Sequence, residues 1–164
     1  MRVGIDLGTT NSAIAYVDEY GNPQIISNRE GNRTTPSVVL FDGETPIVGE
    51  IAKDESIINP ESTIQFIKRY MGKKSGRYIL NGKAITAEGI SAIILKKIIT
   101  DAQEYLNEEI TEAVVTVPAD FNDNERKATI DACKICGIKL NKIINEPTAA
   151  ALAYGLNRSN INQN

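Results

Sequence analysis

The stretch Gly4-Ile5-Asp6-Leu7-Gly8-Thr9-Thr10-Asn11-Ser12 decides the fold of this chain. An apolar strand ends at the carboxylate of Asp6, and a second strand, predicted over 12–18, leaves the turn. Gly8 permits a positive φ and lacks the Cβ that would block a phosphate oxygen. Backbone N–H groups in such a turn can bind an anion, and the two threonine hydroxyls add donors. Asp6 could hold the waters of a hydrated Mg²⁺.

Two interpretations of this turn stay open from the residues alone. It is either an ordinary hairpin with a Gly-Thr turn or a hairpin that cradles a phosphate. It is not a Walker A loop, because no Gly-Lys-Ser/Thr follows, and the dinucleotide pattern G-x-G-x-x-G is absent as well.

Composition limits the function classes. The 164 residues suit one domain, or one domain with an inserted subdomain. A net charge of −3 and 5% aromatic residues argue against nucleic acid as a partner. The absence of histidine excludes Ser-His-Asp triads and His-based zinc sites. No signal peptide or long apolar run is visible, so we predict no membrane partner and a cytoplasmic location.

The order of predicted elements favours an α/β fold with a mixed sheet. The predicted strands cover 2–6, 12–18, 23–27, 37–41, 113–117 and 139–144, with a hairpin of 77–80 and 83–86 around Asn81-Gly82. The predicted helices cover 49–56, 88–106, 122–136 and a last helix from Pro147 to about Gly155. Residues 36–86 therefore form a small α+β insertion.

Two further charged residues are candidates for phosphate chemistry. Glu146 follows an apolar strand and precedes Pro147, so it is held extended and could orient a water for attack on a γ-phosphate. The alternative is that it is a simple helix cap. Lys68 could reach a phosphate as a point charge, or it could be one of an exposed basic pair on a helix.

Cys133 and Cys136 lie in the last turn of a predicted helix, where the helix dipole disfavours a thiolate. A zinc site would need two more ligands. We therefore predict that the pair serves packing.

The chain resembles the seventy-kilodalton heat-shock chaperone family. The resemblance rests on the opening stretch and, in order, on Asn32–Ser37, Lys68-Arg69 with Met71-Gly72, Val115–Asp123, Arg126–Thr129 and Ile144–Gly155. Sugar kinases and actin-like proteins share a lone Asp-x-Gly-Thr-Thr, whereas the ordered set is specific. Asn11 makes the chain most similar to the bacterial DnaK branch.

The resemblance implies a ribonuclease-H-like, actin-like ATPase fold, of which this chain is lobe I only. Subdomain IA would cover 1–35 and 87–164, and subdomain IB would cover 36–86. The implied cofactors are ATP or ADP with Mg²⁺. The roles it implies are Mg²⁺ contact for Asp6, phosphate contact for Gly8, Thr9, Thr10, Asn11 and Lys68, and catalysis for Lys68 and Glu146, which position the attacking water.

The resemblance also implies partners and a stress-response role. Pro118 and Arg126 match residues that relay nucleotide state. Lys142 and Asn145 match a surface for J-domain co-chaperones, although the family usually has Arg at the first of these positions. The full protein would also use a nucleotide-exchange factor, unfolded polypeptide clients, lobe II and a substrate-binding domain. The cysteine pair replaces small residues of the family, which agrees with packing.

The chain stops before the family's second phosphate loop, a Gly-Gly-Gly-Thr-x-Asp pattern, so we expect a truncated protein. Alone it should bind ATP weakly at most, with negligible turnover. Two other functions stay open. One is a sugar-kinase-like phosphotransferase lobe, and the other is a non-enzymatic module that binds co-chaperones.

Overall fold

The computed structural model describes residues 1–75, 77–80 and 82–146. The strands in these residues are β1 (Arg2–Asp6), β2 (Asn11–Val17), β3 (Pro23–Ile25), β4 (Thr35–Pro36), β5 (Val39–Leu40), β6 (Ile47–Val48), β7 (Thr63–Ile64), β8 (Arg77–Leu80), β9 (Lys83–Thr86), β10 (Glu112–Val117) and β11 (Lys139–Asn145). The helices are α1 (Glu50–Glu55), α2 (Ala87–Leu106) and α3 (Asp123–Cys136), with 3₁₀ turns at Pro60–Ser62 and Ile67–Tyr70.

The large sheet has the strand order β11-β10-β1-β2-β3, and β4 pairs with β2. β1, β10 and β11 are parallel, whereas β2 runs antiparallel to β1, so the predicted mixed α/β sheet is confirmed. The carboxyl ends of the three parallel strands therefore meet at one edge. β5, β6 and β7 form a separate small sheet, and β8 pairs with β9.

The hydrophobic core lies between the large sheet and the helices α2 and α3. β1 alternates buried and exposed residues, with Val3 and Ile5 facing inward. The apolar stripe of α2 meets this face, and Ile90, Ile94 and Leu95 are each 0% exposed. Burial of such side chains contributes about 1.5–3 kcal/mol each.

The predicted helices within the described residues are confirmed. Thr86 caps the amino end of α2, because its hydroxyl accepts a hydrogen bond from the Gly89 amide at 3.1 Å. α3 has a capping box between Asn122 and Glu125 at its amino end, and Gly137, which has φ of 87°, caps its carboxyl end. None of the described helices is long and apolar enough to cross a membrane.

Two predicted strands are shorter than expected. β3 ends at Ile25 rather than at residue 27, and only Val39–Leu40 of the predicted strand 37–41 pairs within a sheet. Ser37 instead binds the turn after β1 through its backbone amide and hydroxyl, which interrupts the regular ladder. The predicted helix after Pro147 lies outside the described residues.

Candidate functional site

The turn between β1 and β2 is tight because its backbone approaches itself at Gly8. A Cβ on Gly8 would lie 1.9 Å from the carbonyl oxygen of Asn11, so any side chain would force the turn open. Gly8 is not among the glycines with positive φ, so that part of the sequence argument is wrong. The close approach, rather than an unusual backbone conformation, requires glycine here.

Ser37 fastens this turn from the side of β4. Its hydroxyl donates to the Gly8 carbonyl at 2.8 Å, and its amide donates to the Thr10 carbonyl at 2.9 Å. Ser12 Oγ lies 2.8 Å from Ser37 Oγ. Because the Ser37 proton is already given to Gly8, Ser12 must be the donor of that pair. Both serines are buried, and sequence reasoning assigned neither a role although both lie in quoted motifs.

Asp6 lies at the carboxyl end of β1 and is exposed. Its Oδ1 accepts a hydrogen bond from Thr116 Oγ1 on β10 at 3.1 Å. Its Oδ2, and the hydroxyls of Thr9 and Thr10, have no partner within the described residues. The predicted phosphate and metal ligands are therefore adjacent and retain free hydrogen-bonding capacity. Sequence reasoning missed Thr116, which is 110 residues from Asp6.

Lys68 and Glu146 form an ion pair at the same edge of the sheet. Lys68 Nζ lies 2.8 Å from Glu146 Oε1, and the lysine side chain is 8% exposed against 42% for the glutamate. Lys68 Nζ also lies 5.8 Å from the centre of the Phe121 ring, a cation–π distance. The alternative that Lys68 is an exposed basic residue is therefore wrong. The two residues proposed separately for catalysis lie in direct contact.

The segment before Lys68 has a strained backbone. Phe66 adopts φ of 57° and ψ of 31°, a conformation that costs a bulky residue free energy. The guanidinium of Arg69 lies 4.8 Å from the centre of the Phe66 ring. Ile67, between them, is buried in the core. This turn places Lys68 inward while Arg69 remains exposed.

The residues that match the family's relay and co-chaperone surface lie just after β10, on α3 and on β11. Arg126 Nη2 donates to Asn145 Oδ1 at 2.6 Å, and Arg126 Nε donates to the Phe121 carbonyl at 3.3 Å. Pro118 follows β10 and is half-buried, and its carbonyl accepts from the Phe121 amide at 3.2 Å. Lys142 is exposed. Arg126 therefore connects α3 to the strand end that precedes Glu146.

The two cysteines serve packing, as predicted. Cys133 is 0% exposed within the core, and burial raises the pKa of its thiol to about 12. Burial also raises the pKa of Cys136, whose Sγ lies 3.3 Å from the Cys133 carbonyl. A thiol whose pKa is raised is a poor nucleophile.

The residues at the carboxyl ends of the parallel strands fit a phosphate group with a bound Mg²⁺ ion. The described residues contain no group of three or more His, Cys, Asp or Glu side chains that could cage a metal ion. Mg²⁺ prefers one or two carboxylates together with waters and phosphate oxygens, which the exposed Asp6 can satisfy. The Gly8 backbone, the threonine hydroxyls and Lys68 supply donors for an anion.

The family model of the Hsp70 protein matches residues 2–81 and 77–164. The chain belongs to the Hsp70 family. The Hsp70 match covers both the phosphate turn and the Lys68–Glu146 pair, and the mixed sheet is consistent with the actin-like ATPase fold of that family. These residues are thus part of a chaperone nucleotide-binding domain. Hsp70 proteins generally work with co-chaperones and unfolded clients.

Proposed function

We propose that this Hsp70 chain binds the phosphates of ATP or ADP, with Mg²⁺, at the edge where β1, β10 and β11 end. In this proposal Asp6 holds the Mg²⁺ waters, and the turn from Gly8 to Asn11 binds the phosphates. Lys68 and Glu146 are the catalytic residues. The observation that carries the proposal is the buried Lys68, held 2.8 Å from Glu146 at the same edge as the phosphate turn.

The ion pair suits hydrolysis because it holds Lys68 and Glu146 in place and leaves each of them able to form further hydrogen bonds. A lysine ammonium has three donors, and Glu146 engages one of them. The others can reach a γ-phosphate, while the half-exposed carboxylate of Glu146 accepts a hydrogen bond from the attacking water. Mg²⁺ held through its waters by Asp6 would neutralise part of the phosphate charge. Lys68 then holds the γ-phosphate in place while Glu146 orients the water.

Hydrolysis at this site would control the binding of unfolded polypeptides in the complete chaperone. We assign subdomain IA to 1–35 and 87–164 and subdomain IB to 36–86. The separate small sheet of β5, β6 and β7 supports this division. The DnaK-like branch, the cytoplasmic location and the stress-response role stay predictions. Lobe II and the substrate-binding domain are the partners that the complete mechanism needs.

A titration of the ¹⁵N-labelled chain with Mg·ATP, followed by NMR, tests phosphate binding even if the affinity is weak. We expect the amide signals of Gly8 to Asn11 to shift, with affinity weaker than micromolar because one wall of the cleft supplies all contacts. Lys68→Met should weaken binding about tenfold or more, as loss of a charged hydrogen bond does. Lys139→Met, at the opposite edge of the sheet, is the matched control.

Glu146→Gln separates binding from chemistry. It should leave the Mg·ATP shifts nearly unchanged, whereas phosphate release by the chain combined with lobe II should be lost. Absence of any shift at Gly8 to Asn11 in the unmodified chain, at millimolar Mg·ATP, would show that this edge is not a phosphate site.

J-domain co-chaperones are the partners we propose for β11. Lys142 is exposed on this strand, which is the outermost strand on one side of the large sheet in the described residues. Lys142→Glu should reduce J-domain capture in a pull-down, whereas Lys53→Glu, on α1, should not. Equal capture by all three proteins would reject β11 as the docking strand.

A further inference from the structure

Asp101 is a buried carboxylate on α2 that lies outside the proposed phosphate site. Asp101 is 3% exposed to solvent. It accepts a short hydrogen bond from Lys97 Nζ and a second one from the backbone amide of Arg29 at 3.1 Å. A charge buried to this extent is stable only when it is paired and hydrogen-bonded. Asp101 therefore holds the chain at Arg29 tightly to α2.

A row of charged residues on α2 extends this anchor. Lys97 Nζ donates to both carboxylate oxygens of Glu30, at 3.0 and 3.1 Å. Arg29 binds Glu104 through two guanidinium nitrogens. Lys97, Asp101 and Glu104 follow one another at spacings of four and three residues, so they lie on one face of the helix. The loop at Arg29 and Glu30 is thus clamped from three helix positions.

Hydrogen bonds of Asn28 connect the loop that α2 holds to β4. Asn28 Nδ2 donates to the Thr34 carbonyl at 3.2 Å and to Thr35 Oγ1 at 3.1 Å. Asn28 Oδ1 accepts from the Asn32 amide at 2.8 Å, which closes the loop on itself. Thr35 in turn pairs with Ser12 in the large sheet. The loop therefore sets the position of β4 and of the residues that follow it.

Ser37 follows β4 directly and donates hydrogen bonds to the carbonyls of Gly8 and Thr10. In a trans peptide the C=O and the following N–H point in opposite directions. The amides of Thr9 and Asn11 therefore point away from Ser37. A turn that binds phosphate needs its N–H groups exposed and its carbonyls turned aside.

We propose that Asp101 is a positioning residue for the phosphate turn, acting through the loop 28–35 and Ser37 on the amides of Thr9 and Asn11. The proposal rests on the proposed function for its ligand, the phosphates of Mg·ATP. Its first consequence, the geometry of the turn, does not depend on the ligand.

Asp101→Asn tests the proposal against Glu112→Gln, which removes a comparable charged network at the opposite edge of the sheet. Amide hydrogen exchange at Ser37 should become about tenfold faster in Asp101→Asn, with shifted Thr9 and Asn11 signals, and remain unchanged in Glu112→Gln. The affinity for Mg·ATP should fall about tenfold in Asp101→Asn alone, which corresponds to about 1.4 kcal/mol. Asp101→Glu, which keeps the charge, should recover part of both effects.

Equal changes in Asp101→Asn and Glu112→Gln, or none in Asp101→Asn, would overturn the proposal. If Asp101→Asn does not fold, the milder Asp101→Glu decides, because it keeps the charge and moves the carboxylate away from the Arg29 amide. Faster exchange at Ser37 in Asp101→Glu than in the unmodified chain supports the proposal, and unchanged exchange rejects it. If the unmodified chain fails to bind Mg·ATP, the proposed function falls, but the exchange at Ser37 still decides whether Asp101 positions the turn.

Discussion

The two edges of the parallel strands β1, β10 and β11 both carry charged clusters, and the clusters are built differently. At the amino edge, Glu112 accepts hydrogen bonds from Arg2, Lys139 and Asn141 at 2.9–3.1 Å. At the carboxyl edge, Asp6 has one side-chain partner among the described residues, Thr116. One carboxylate is saturated by protein donors, whereas the other keeps an oxygen free within the described residues.

This difference separates a structural cluster from a binding site. The hydrogen bonds of Asn141, Arg2 and Lys139 lower the pKa of Glu112 to about 2. The charged carboxylate is therefore used in contacts within the protein. A ligand needs the opposite arrangement, in which rigid groups have unsatisfied donors or acceptors. Within the part of the chain that the structure describes, the carboxyl edge meets this need with Asp6, the threonine hydroxyls and the remaining Lys68 protons.

The largest expected effect comes from adding one methyl group to the carboxyl edge. Gly8→Ala would place a Cβ 1.9 Å from the Asn11 carbonyl oxygen. Opening the turn should cost about 3 kcal/mol of unfolding free energy and abolish Mg·ATP shifts. Urea denaturation and the NMR titration measure the two effects.

Gly4→Ala is the control for this change. Gly4 lies on the same strand, with no described atom within 4 Å of an added Cβ. It should be neutral or slightly stabilising, since glycine within a strand costs roughly 0.5–1 kcal/mol. A Gly8→Ala chain as stable as Gly4→Ala would contradict the close approach.

Thr116→Val should have the second-largest effect, confined to ligand binding. It removes the hydroxyl that orients Asp6, so the affinity for Mg·ATP should fall about tenfold, as expected for a hydrogen bond to a charged group. Thr116→Ser keeps the hydroxyl and should bind as the unmodified chain does. If both variants bind alike, Asp6 does not depend on Thr116 for its orientation.

The sequence predicts the elements of the fold well because their signals are local. The apolar stripe of α2, the capping box at Asn122 and the Asn81-Gly82 hairpin depend on residues close in the chain. The shortened strand at 37–41 is the exception. Its Ser37 is engaged by Gly8, 29 residues away, which no local pattern reveals.

The candidate site is less predictable for the same reason. Asp6 and Gly8 could be found from their motif, although the reason given for Gly8 was partly wrong. The supporting contacts could not be predicted, because each joins segments that are far apart in the sequence. Thr116 and Asp6 are separated by 110 residues, and Lys68 and Glu146 are separated by 78 residues. The burial of Lys68 follows from packing, whereas its sequence favours an exposed residue.

Glu112→Gln should affect the amino edge in a pH-dependent way. The pKa of Glu112 is lowered from 4.5 to about 2, so its stabilising effect is complete above pH 4.5 and is lost as the pH falls toward 2. Glu112→Gln should therefore be less stable than the unmodified chain at pH 7, and the difference should shrink across this window. Thermal unfolding at several pH values measures it. A difference independent of pH would show that Glu112 does not titrate as a bound carboxylate.

Lys139→Met should have the smallest effect, at the same edge. Its ammonium lies 3.1 Å from Glu112 Oε1, but the lysine side chain is 72% exposed, so solvent screens the pair. Glu112 keeps Arg2 and Asn141 as donors, which should leave the denaturation midpoint almost unchanged. Mg·ATP binding should also stay unchanged, in contrast to Lys68→Met. A clear loss of binding in Lys139→Met would mean that the two edges are coupled through the strands, and the division between a structural edge and a binding edge would no longer hold.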